Sequence, residues 1–543
     1  MLATIERAPA TRGNEEIRLG CVISVASAVV FGVLQPDATS YAEIGALVRV
    51  QGRRGLAYGV IVSLAADGRR RGDDERCLIE VRLVGEVVEA SGTAGGLTFQ
   101  RGVTHHPPLD APIFRATAAE LRIVYARPDA ATVRLGTLRQ APDLDAFAIT
   151  DRLLGKHFAV LGTTGAGKSC AVTLILRAIL DANPAGHVVM LDPHNEYTQA
   201  FGDRAERLDP ETFKLPFWLL DFEELAHILV SREAGGRTDA ESSILRRALL
   251  AARRAFVDDQ AADTVTVDTP IPYRLSELAR LIRDEMGAFE KPDGSAPYQH
   301  LLARIETVTT DRRFAFMFSS FAVHDSMADV LARVLRIPTG GRPITILDIS
   351  GVPSEIVDVT VSVLCRLIFE FALWSDRRSA PPILLVCEEA HRYVPREGRN
   401  GFGPTRRAIG RIAKEGRKYG IGLGLVTQRP AELDTSSLSQ CNTVFALRLS
   451  NEHDLDFVRH AVPDSSKWLI DTLPALNVRE AIVLGDGVPL PAHVRFDDLP
   501  AEARPASTNP VFASAWQADE AGAEMVADTI ARWRRQTRNP ITG

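Results

Sequence analysis

The strongest constraint on the fold is a glycine-rich segment that follows a short apolar run, in the order Phe158-Ala-Val-Leu-Gly-Thr-Thr-Gly-Ala-Gly-Lys-Ser169. Its spacing is that of the phosphate-binding P-loop, in which glycines let successive backbone N–H groups face a triphosphate without a Cβ in the way. The apolar run predicts a buried strand. The stretch from Ala171 to Leu180 predicts a helix whose N-terminus is directed at the anion. The sequence therefore predicts an α/β fold that binds a nucleotide.

The loop residues have separate predicted roles. Lys168 is expected to contact the β and γ phosphates of ATP, and Ser169 is expected to ligate Mg²⁺. ATP and Mg²⁺ are therefore the predicted cofactors. The residues predicted to bind the cofactor are Gly162, Thr163, Thr164, Gly165, Ala166, Gly167, Lys168, Ser169, Cys170 and, after the following strand, Asp192.

Acidic side chains follow two later apolar runs. The strand predicted from His187 to Leu191 precedes Asp192, and the strand predicted from Ile383 to Cys387 precedes Glu388 and Glu389. Because the carboxyl ends of parallel strands meet at one edge of a sheet, these acids are expected beside the nucleotide. Two acids after a buried strand form a Walker B arrangement. In it Glu388 holds the metal shell and Glu389 polarises the attacking water.

Three neighbouring assignments stay open from the sequence. Asp192 and Glu196 either position Mg²⁺, water or an arginine, or Asp192 only caps the turn after its strand. His391 makes either a structural hydrogen bond or a catalytic contact. Gln428 follows the strand predicted from Ile421 to Val426, and it either senses the γ phosphate and orients water or forms hydrogen bonds of the strand end. We include Gln428 among the predicted catalytic residues.

A basic segment from Arg406 to Tyr419 lies between the Walker B strand and the strand that precedes Gln428. As one continuous helix it presents two cationic faces, which suits two anionic partners, although charge runs of this kind are commonly solvated. One face carries Arg407, Arg411, Lys414 and Lys418, and the other carries Arg406 and Arg417.

Composition limits the partners. The net charge of -6 and the sequence pI of about 6.1 give no overall polyanion-binding signature, so contact with nucleic acid requires a local basic surface. The six cysteines are scattered without metal-ligand spacing, which predicts reduced thiols in a cytoplasmic protein. No apolar run reaches the roughly 18 residues needed to span a bilayer, so no membrane partner is expected.

Patterning outside the P-loop predicts the other domains. Short β-type runs between Ile17 and Leu135 predict a small barrel or sandwich, and helical periodicity predicts an insertion within the core. The last helix, predicted from Trp516 to Arg535, either braces a neighbouring subunit or is an exposed terminal helix. The predicted divisions are a flexible N-terminus at 1–14, a β-barrel at 15–140, an α/β core at 141–500 with a helical insertion at about 203–335, and a C-terminal helical tail at 501–543.

Taken together, the motifs resemble those of the HerA family of the HerA/FtsK ATPases, and the β-rich region before them is similar to that family's N-terminal barrel. The resemblance covers roughly residues 15–500. Glu388 departs from it, because Asp is more frequent at that position. The segments that carry the resemblance are Gly162–Ser169, Asp192–Tyr197, Cys387–His391, Arg411–Gly420 and Thr427–Pro430.

The resemblance implies a RecA-like ATPase core, a homo-hexameric ring and translocation on double-stranded DNA through a central channel. It also implies a partner protein, either a nuclease in DNA end processing or a nuclease or NAD-consuming effector in anti-phage defence. By motif position it gives Lys168 and Ser169 the phosphate and Mg²⁺ roles. Glu389 takes the role of the catalytic acid, and Arg417 that of the arginine supplied across the subunit interface.

Two functions of different classes follow as hypotheses. The first is a motor ATPase that translocates on DNA. The second is an ATP-gated ring scaffold that organises and switches a partner enzyme without processive translocation. The acidic overall charge favours the scaffold, whereas the basic segment and the complete hydrolytic set favour the motor.

Overall fold

The computed structural model describes most of the chain, which divides into two compact units. Unit 1 comprises Met1–Asp151 with Thr443–Asp497, and unit 2 comprises Arg152–Asn442 with Asp498–Gly543. The predicted flexible N-terminus at 1–14 lies outside the described residues. These are 16–52, 55–66, 77–89, 97–230, 232–233, 236–237, 239–258, 262–287, 295–318, 323–352, 354–376, 378–396, 402–462, 467–506, 512–517 and 522–535.

The described strands and helices are numbered here in chain order. The strands are β1 (Arg18–Ala26), β2 (Val29–Leu34), β3 (Leu47–Gln51), β4 (Leu56–Ala66), β5 (Cys77–Glu89), β6 (Leu97–Arg101), β7 (Pro112–Arg115), β8 (Thr132–Leu138), β9 (Ala141–Ile149), β10 (Phe158–Leu161), β11 (Val188–Asp192), β12 (Ala205–Leu208), β13 (Arg232–Glu233), β14 (Gly236–Arg237), β15 (Ile344–Asp348), β16 (Ile383–Cys387), β17 (Ile421–Thr427), β18 (Thr443–Ala446), β19 (Glu480–Gly485) and β20 (Ala492–Phe496). The helices are α1 (Ala118–Val124), α2 (Thr150–Gly155), α3 (Lys168–Ala182), α4 (Thr198–Phe201), α5 (Phe222–Leu229), α6 (Asp239–Arg254), α7 (Leu275–Gly287), α8 (Ala296–Thr310), α9 (Ala315–Phe318), α10 (Met327–Leu335), α11 (Ser354–Trp374), α12 (Gly403–Glu415), α13 (Thr435–Ser439), α14 (Glu452–Ala461), α15 (Lys467–Ile470), α16 (Phe512–Ala515) and α17 (Ala523–Arg535).

The N-terminal part of unit 1 is an antiparallel barrel. Its strands follow the order β2-β1-β7-β3-β4-β5-β6, and β2 also pairs with β5. This additional pairing closes the sheet, which removes the unpaired edges that an open sheet would expose at β2 and β5. Its core includes the fully buried side chains of Val22, Val48, Ile61 and Val81. The predicted N-terminal barrel is confirmed.

Unit 1 also contains five antiparallel strands that pair in the order β18-β19-β20-β8-β9. Residues 443–497 therefore belong with residues 132–149 of the same unit. The sequence placed the whole of 141–500 in one core, and the structure divides the chain differently. The difference arises because Val494–Phe496 pairs with Gly136–Leu138, a contact between distant parts of the chain that local patterning does not encode.

Unit 2 is built on parallel strands in the order β12-β15-β11-β16-β17-β10. Every residue of β10, β11, β15, β16 and β17 is buried, as expected where a parallel sheet is covered on both faces. Strand β17 lies between the P-loop strand β10 and the Walker B strand β16. The carboxyl ends of all three strands therefore meet at one edge, and the predicted α/β fold with a RecA-like P-loop core is confirmed.

The helical insertion of unit 2 lies between β12 and β15 and contains α5 to α10. The sequence assigned helix from residue 203, whereas residues 205–208 form β12, which is too short for its periodicity to be recognised. Glu224 of α5 is fully buried and accepts hydrogen bonds from Ser362 and Arg366 of α11, each at 2.8 Å. This buried, paired carboxylate ties the insertion to α11.

The C-terminal helix is shorter than the sequence predicted. Helix α17 begins at Ala523, directly after Gly522, whereas the prediction began at Trp516. Glycine has poor helix propensity, which fits the later start. None of the described helices is both long enough and apolar enough to cross a bilayer.

We predict that Gly422 in β17 tolerates no side chain. A Cβ there would lie 2.6 Å from the Leu154 carbonyl oxygen, whereas a Cβ at Gly410 in α12 meets nothing within 4 Å. Gly422→Ala should destabilise the protein by about 1–3 kcal/mol through overpacking, and Gly410→Ala should be neutral or stabilising because alanine favours a helix. Thermal unfolding measures both variants, and equal melting temperatures would contradict the close packing.

Candidate active site

The P-loop joins β10 to α3 through two glycines in the left-handed backbone region. Gly165 has φ 77°, and Gly167, the N-cap of α3, has φ 92°. Glycine adopts such angles without steric penalty, so the loop conformation requires it at both positions. The N–H of Ala166 donates to the Thr163 carbonyl oxygen at 3.1 Å and closes the turn. The first N–H groups of α3 have no intrahelical partners, and such groups bind phosphate.

Lys168 and Glu388 form a buried ion pair at the carboxyl edge of the parallel strands. Nζ of Lys168 contacts Oε1 of Glu388, and both side chains are buried. Burial raises the pKa of Glu388 to about 7, and the lysine charge opposes this shift. Burial also acts to lower the pKa of Lys168, but neighbouring carboxylates, Glu388 foremost, outweigh it and raise that pKa. The pair therefore holds the lysine in its charged form inside the protein.

Two oxygen atoms near this pair suit a magnesium ion. Oε2 of Glu388 is buried and has no hydrogen-bond partner among the described residues. Oγ of Ser169, in the first turn of α3, donates a hydrogen bond to Oε2 of Glu196 at 2.8 Å. Carboxylate and hydroxyl oxygens are hard ligands of the kind that Mg²⁺ prefers. The predicted metal ligands Ser169 and Glu388 therefore fit the ion, and their roles stay predictions.

Gln428 links the P-loop to the second Walker B acid. Its Nε2 donates to Oε1 of Glu389 at 2.9 Å, and its Oε1 accepts from Oγ1 of Thr164 at 2.5 Å. Because β17 lies between β10 and β16, a side chain at its carboxyl end reaches both neighbours. Gln428 thus does more than complete the end of its own strand, which favours the first of the two roles left open by the sequence.

Glu389 has an unusual backbone and a crowded carboxylate. Its φ is 52° and its ψ is 43°, in the left-handed region that non-glycine residues seldom adopt. Nδ1 of His391 lies 3.2 Å from Oε2 of Glu389 and 3.0 Å from Oγ1 of Thr427, while Nε2 of His194 lies 4.0 Å from Oε1 of Glu389. Burial lowers the pKa of His391. The two histidines therefore lie near the Glu389 carboxylate, and among the described residues only its Oε1 accepts a hydrogen bond, from Gln428.

Asp192 caps the turn that follows β11. Its carboxylate oxygens accept the backbone N–H groups of His194 at 3.2 Å and Tyr197 at 3.0 Å, and the side chain is fully buried. Burial raises the pKa of Asp192 to about 6, against the effect of these hydrogen bonds. This geometry corresponds to the capping alternative. Of the two acids considered in this turn, Glu196 contacts the P-loop.

The basic segment is not one continuous helix. Helix α12 ends at Glu415, and residues 416–419 form a 3₁₀ turn, so the predicted alignment of charges along two faces stops at the helix end. Arg411 lies 4.1 Å from the Phe369 ring centroid and 3.6 Å from Glu370. Arg417 is exposed, and no acidic residue within the described ranges forms an ion pair with it. The structure therefore leaves Arg417 available and holds Arg411 within its own chain.

Comparison with known proteins shows which proteins this chain is similar to. The family described as "Helicase HerA, central domain" matches residues 133–368. The DNA double-strand break repair helicase HerA of Pyrococcus furiosus is 28% identical over 481 residues, which are 80% of each chain. The chain is therefore similar in sequence to HerA helicases.

Two further proteins are similar to this chain. The DNA double-strand break repair helicase HerA of Saccharolobus solfataricus is 27% identical over 406 residues, which are 72% of this chain and 74% of that protein. Among solved structures, VirB4 of Thermoanaerobacter pseudethanolicus is similar with a TM-score of 0.47 and 16% identity, over 69% of this chain and 99% of VirB4.

The sequence selected most of the residues that the structure brings together, but it did not predict the contacts between them, of which two are examples. The bond between Ser169 and Glu196 depends on the turn conformation at Asn195, whose φ is 53°. The bond between Thr164 and Gln428 depends on which strands are neighbours. Glu196 does follow a buried strand, which was the available signal. Arg417 forms no hydrogen bond or ion pair with this cluster among the described residues.

We predict that Asp192→Asn destabilises the protein, because it replaces one of the two oxygens that accept the His194 and Tyr197 N–H groups with an NH₂ group, which cannot accept. Burial raises the pKa of Asp192 from 3.8 to about 6, so ionisation opposes folding as pH rises through that window. The loss of stability should therefore be larger at pH 5 than at pH 8. Thermal unfolding at both pH values measures it, with exposed Asp203→Asn as the control. An unchanged melting temperature would contradict the capping role.

Proposed function

We propose that this protein hydrolyses ATP and couples the reaction to translocation on double-stranded DNA. The observation that carries the proposal is the set of side chains at one sheet edge: Lys168 with Glu388, and Glu389 joined through Gln428 to Thr164. A phosphate-binding lysine, two acids and a polar bridge are the parts that ATP hydrolysis requires. The names of its relatives as DNA double-strand break repair helicases support DNA as the track.

Binding of ATP exchanges one partner of Lys168 for another. In this structure its ammonium group contacts Glu388, and in the proposed complex it contacts the phosphates. This exchange frees Glu388, so that Glu388 and Ser169 would hold Mg²⁺. When bound there, the ion would supply positive charge to the phosphate oxygens. The backbone N–H groups of the P-loop bind the remaining phosphate oxygens.

Glu389 is the proposed general base. Water attacks the γ phosphorus, its proton passes to the Glu389 carboxylate, and the bond from phosphorus to the bridging oxygen of ADP breaks. Gln428 donates to Oε1 of Glu389, which orients that carboxylate and ties it to Thr164 in the P-loop. Through Thr164 and Gln428, a phosphate group bound in the loop can therefore change the position of the Glu389 carboxylate.

An arginine completes the proposed site from a neighbouring subunit. Among the described arginines, none forms a hydrogen bond or ion pair with Glu388 or Glu389. Arg417 is exposed and without an ion pair within the described residues, so it is free to meet a second copy of the chain. We therefore propose a homo-hexameric ring that works with a nuclease or effector enzyme, in DNA end processing or anti-phage defence.

A second candidate is an ATP-gated scaffold that switches a partner enzyme without processive translocation. The net charge of -6 favours it, because an acidic chain attracts DNA less than a basic one. Both candidates use the same site. They differ in whether DNA changes the rate of hydrolysis.

We predict that double-stranded DNA stimulates ATP hydrolysis several-fold, and that rising salt weakens the stimulation because phosphate contacts release counterions. A steady-state ATPase titration with DNA measures this. A rate that is independent of DNA would reject the motor in favour of the scaffold.

Two substitutions should separate hydrolysis of ATP from its binding. Glu389→Gln should lower turnover on the order of 10²–10⁴-fold while ATP still binds, because the amide cannot accept the proton. Lys168→Ala should weaken ATP binding itself.

We further predict that Arg417→Ala folds and binds ATP but hydrolyses it poorly, since such arginines contribute about 10³–10⁵ in rate where they have been measured. Mixing Arg417→Ala with Glu389→Gln subunits should restore activity, because some interfaces then combine an intact base with an intact arginine. Arg411→Ala is the matched control and should retain activity. Mixed rings that form without regaining activity would contradict supply of Arg417 in trans.

A further inference from the structure

The hydrogen bond between Ser169 and Glu196 has a defined direction. Oγ of Ser169 is the donor, and Oε2 of Glu196, at 2.8 Å, is the acceptor. A serine hydroxyl has one proton and two lone pairs. When the proton is directed to Glu196, a lone pair of Oγ stays available to a metal ion. This contact is therefore compatible with metal binding, unlike the contact between Lys168 and Glu388, which has to open.

The turn that carries Glu196 is fixed on both sides. Before it, Asn195 adopts a left-handed conformation with φ 53°. After it, the N–H of Tyr197 donates to the Asp192 carboxylate at 3.0 Å. The carbonyl oxygen of Glu196 itself accepts from the N–H of Ala506 at 2.8 Å. These restraints act on the backbone, so the carboxylate of Glu196 is placed before any ligand binds, and a substitution of its side chain leaves them in place.

The charges around Lys168 leave an excess of negative groups. Three carboxylates, those of Glu388, Glu389 and Glu196, act on the single lysine ammonium. Oε2 of Glu388 is buried and has no hydrogen-bond partner among the described residues. A buried acidic site with an unused oxygen calls for a cation. Glu196 belongs to this charge balance although it lies outside the P-loop and the Walker B strand.

We propose that Glu196 is a positioning residue of the metal site. It accepts the Ser169 proton and so turns the lone pairs of Oγ towards the ion. The inference rests on the proposed Mg²⁺–ATP site and adds a residue to it. Partners of this kind, which contact a ligand and not the ion, typically change metal affinity about 10–100-fold when they are removed.

The test measures metal binding directly. Mn²⁺ replaces Mg²⁺ because free Mn²⁺ is quantified by electron paramagnetic resonance, and the titration is made on the full chain with saturating ADP. Glu196→Ala should weaken Mn²⁺ binding about 10–100-fold. Glu196→Gln, whose amide oxygen still accepts a hydrogen bond, should lie between Glu196→Ala and the wild type. ADP affinity in EDTA should stay unchanged in all variants. Exposed Asp203→Ala removes the same charge and should not alter Mn²⁺ affinity.

A double substitution tests whether Glu196 acts through Ser169. If it does, the loss of Mn²⁺ affinity caused by Glu196→Ala should be smaller in the Ser169→Ala background than in the wild type, since the serine is already absent. Fully additive losses would overturn the inference. Unchanged Mn²⁺ affinity in Glu196→Ala would also overturn it, whatever happens to the melting temperature. If the wild-type protein does not bind Mn²⁺ with ADP, the proposed function fails as well, which separates the two outcomes.

Discussion

The burial of a lysine against a glutamate is the constraint on which the rest of the site depends. Removing two charges from water is unfavourable unless each finds a partner, and Lys168 and Glu388 are partners inside a layer of fully buried strands. Lys168 is also the residue that would bind the phosphates of ATP, and Glu388 is the residue that would bind Mg²⁺. The contact between Lys168 and Glu388 therefore keeps both binding groups in place, and a ligand has only to exchange this contact.

Backbone conformation at the strand ends positions the other groups. Gly167 after β10, Asn195 after β11 and Glu389 after β16 all have positive φ values, of 92°, 53° and 52°. Each turn lies next to a side chain that the proposed reaction uses. For the two residues that are not glycine, the conformation is held by surrounding hydrogen bonds, such as those to the Asp192 and Glu389 carboxylates. Strain of this kind, of order 1–3 kcal/mol, is concentrated at functional sites.

The sequence predicted what is encoded locally. The P-loop spacing fixes a backbone shape, and runs such as Ile383–Cys387 can only be buried strands, so the parallel core and its acids follow. The inclusion of residues 443–497 in unit 1 cannot be predicted from local patterning, because it depends on strand pairing across several hundred residues of chain. The choice between Asp192 and Glu196 also needed the structure. Both acids follow the same strand, and only the conformation of the turn decides which carboxylate faces Ser169.

Arg411 and Arg417 show how contacts separate residues that the sequence presents as equivalent. Both lie in one basic segment, six positions apart. Arg411 stacks on Phe369 and lies near Glu370, so moving it to a partner would break contacts within its own chain. Arg417 follows the end of α12 in an exposed turn and, among the residues that the structure describes, has no such contacts to lose. An arginine that contacts a phosphate in another subunit has to give up its contacts within its own chain. Arg417 gives up fewer contacts than Arg411, which favours Arg417 for this role. The difference arises because helix α12 ends at Glu415.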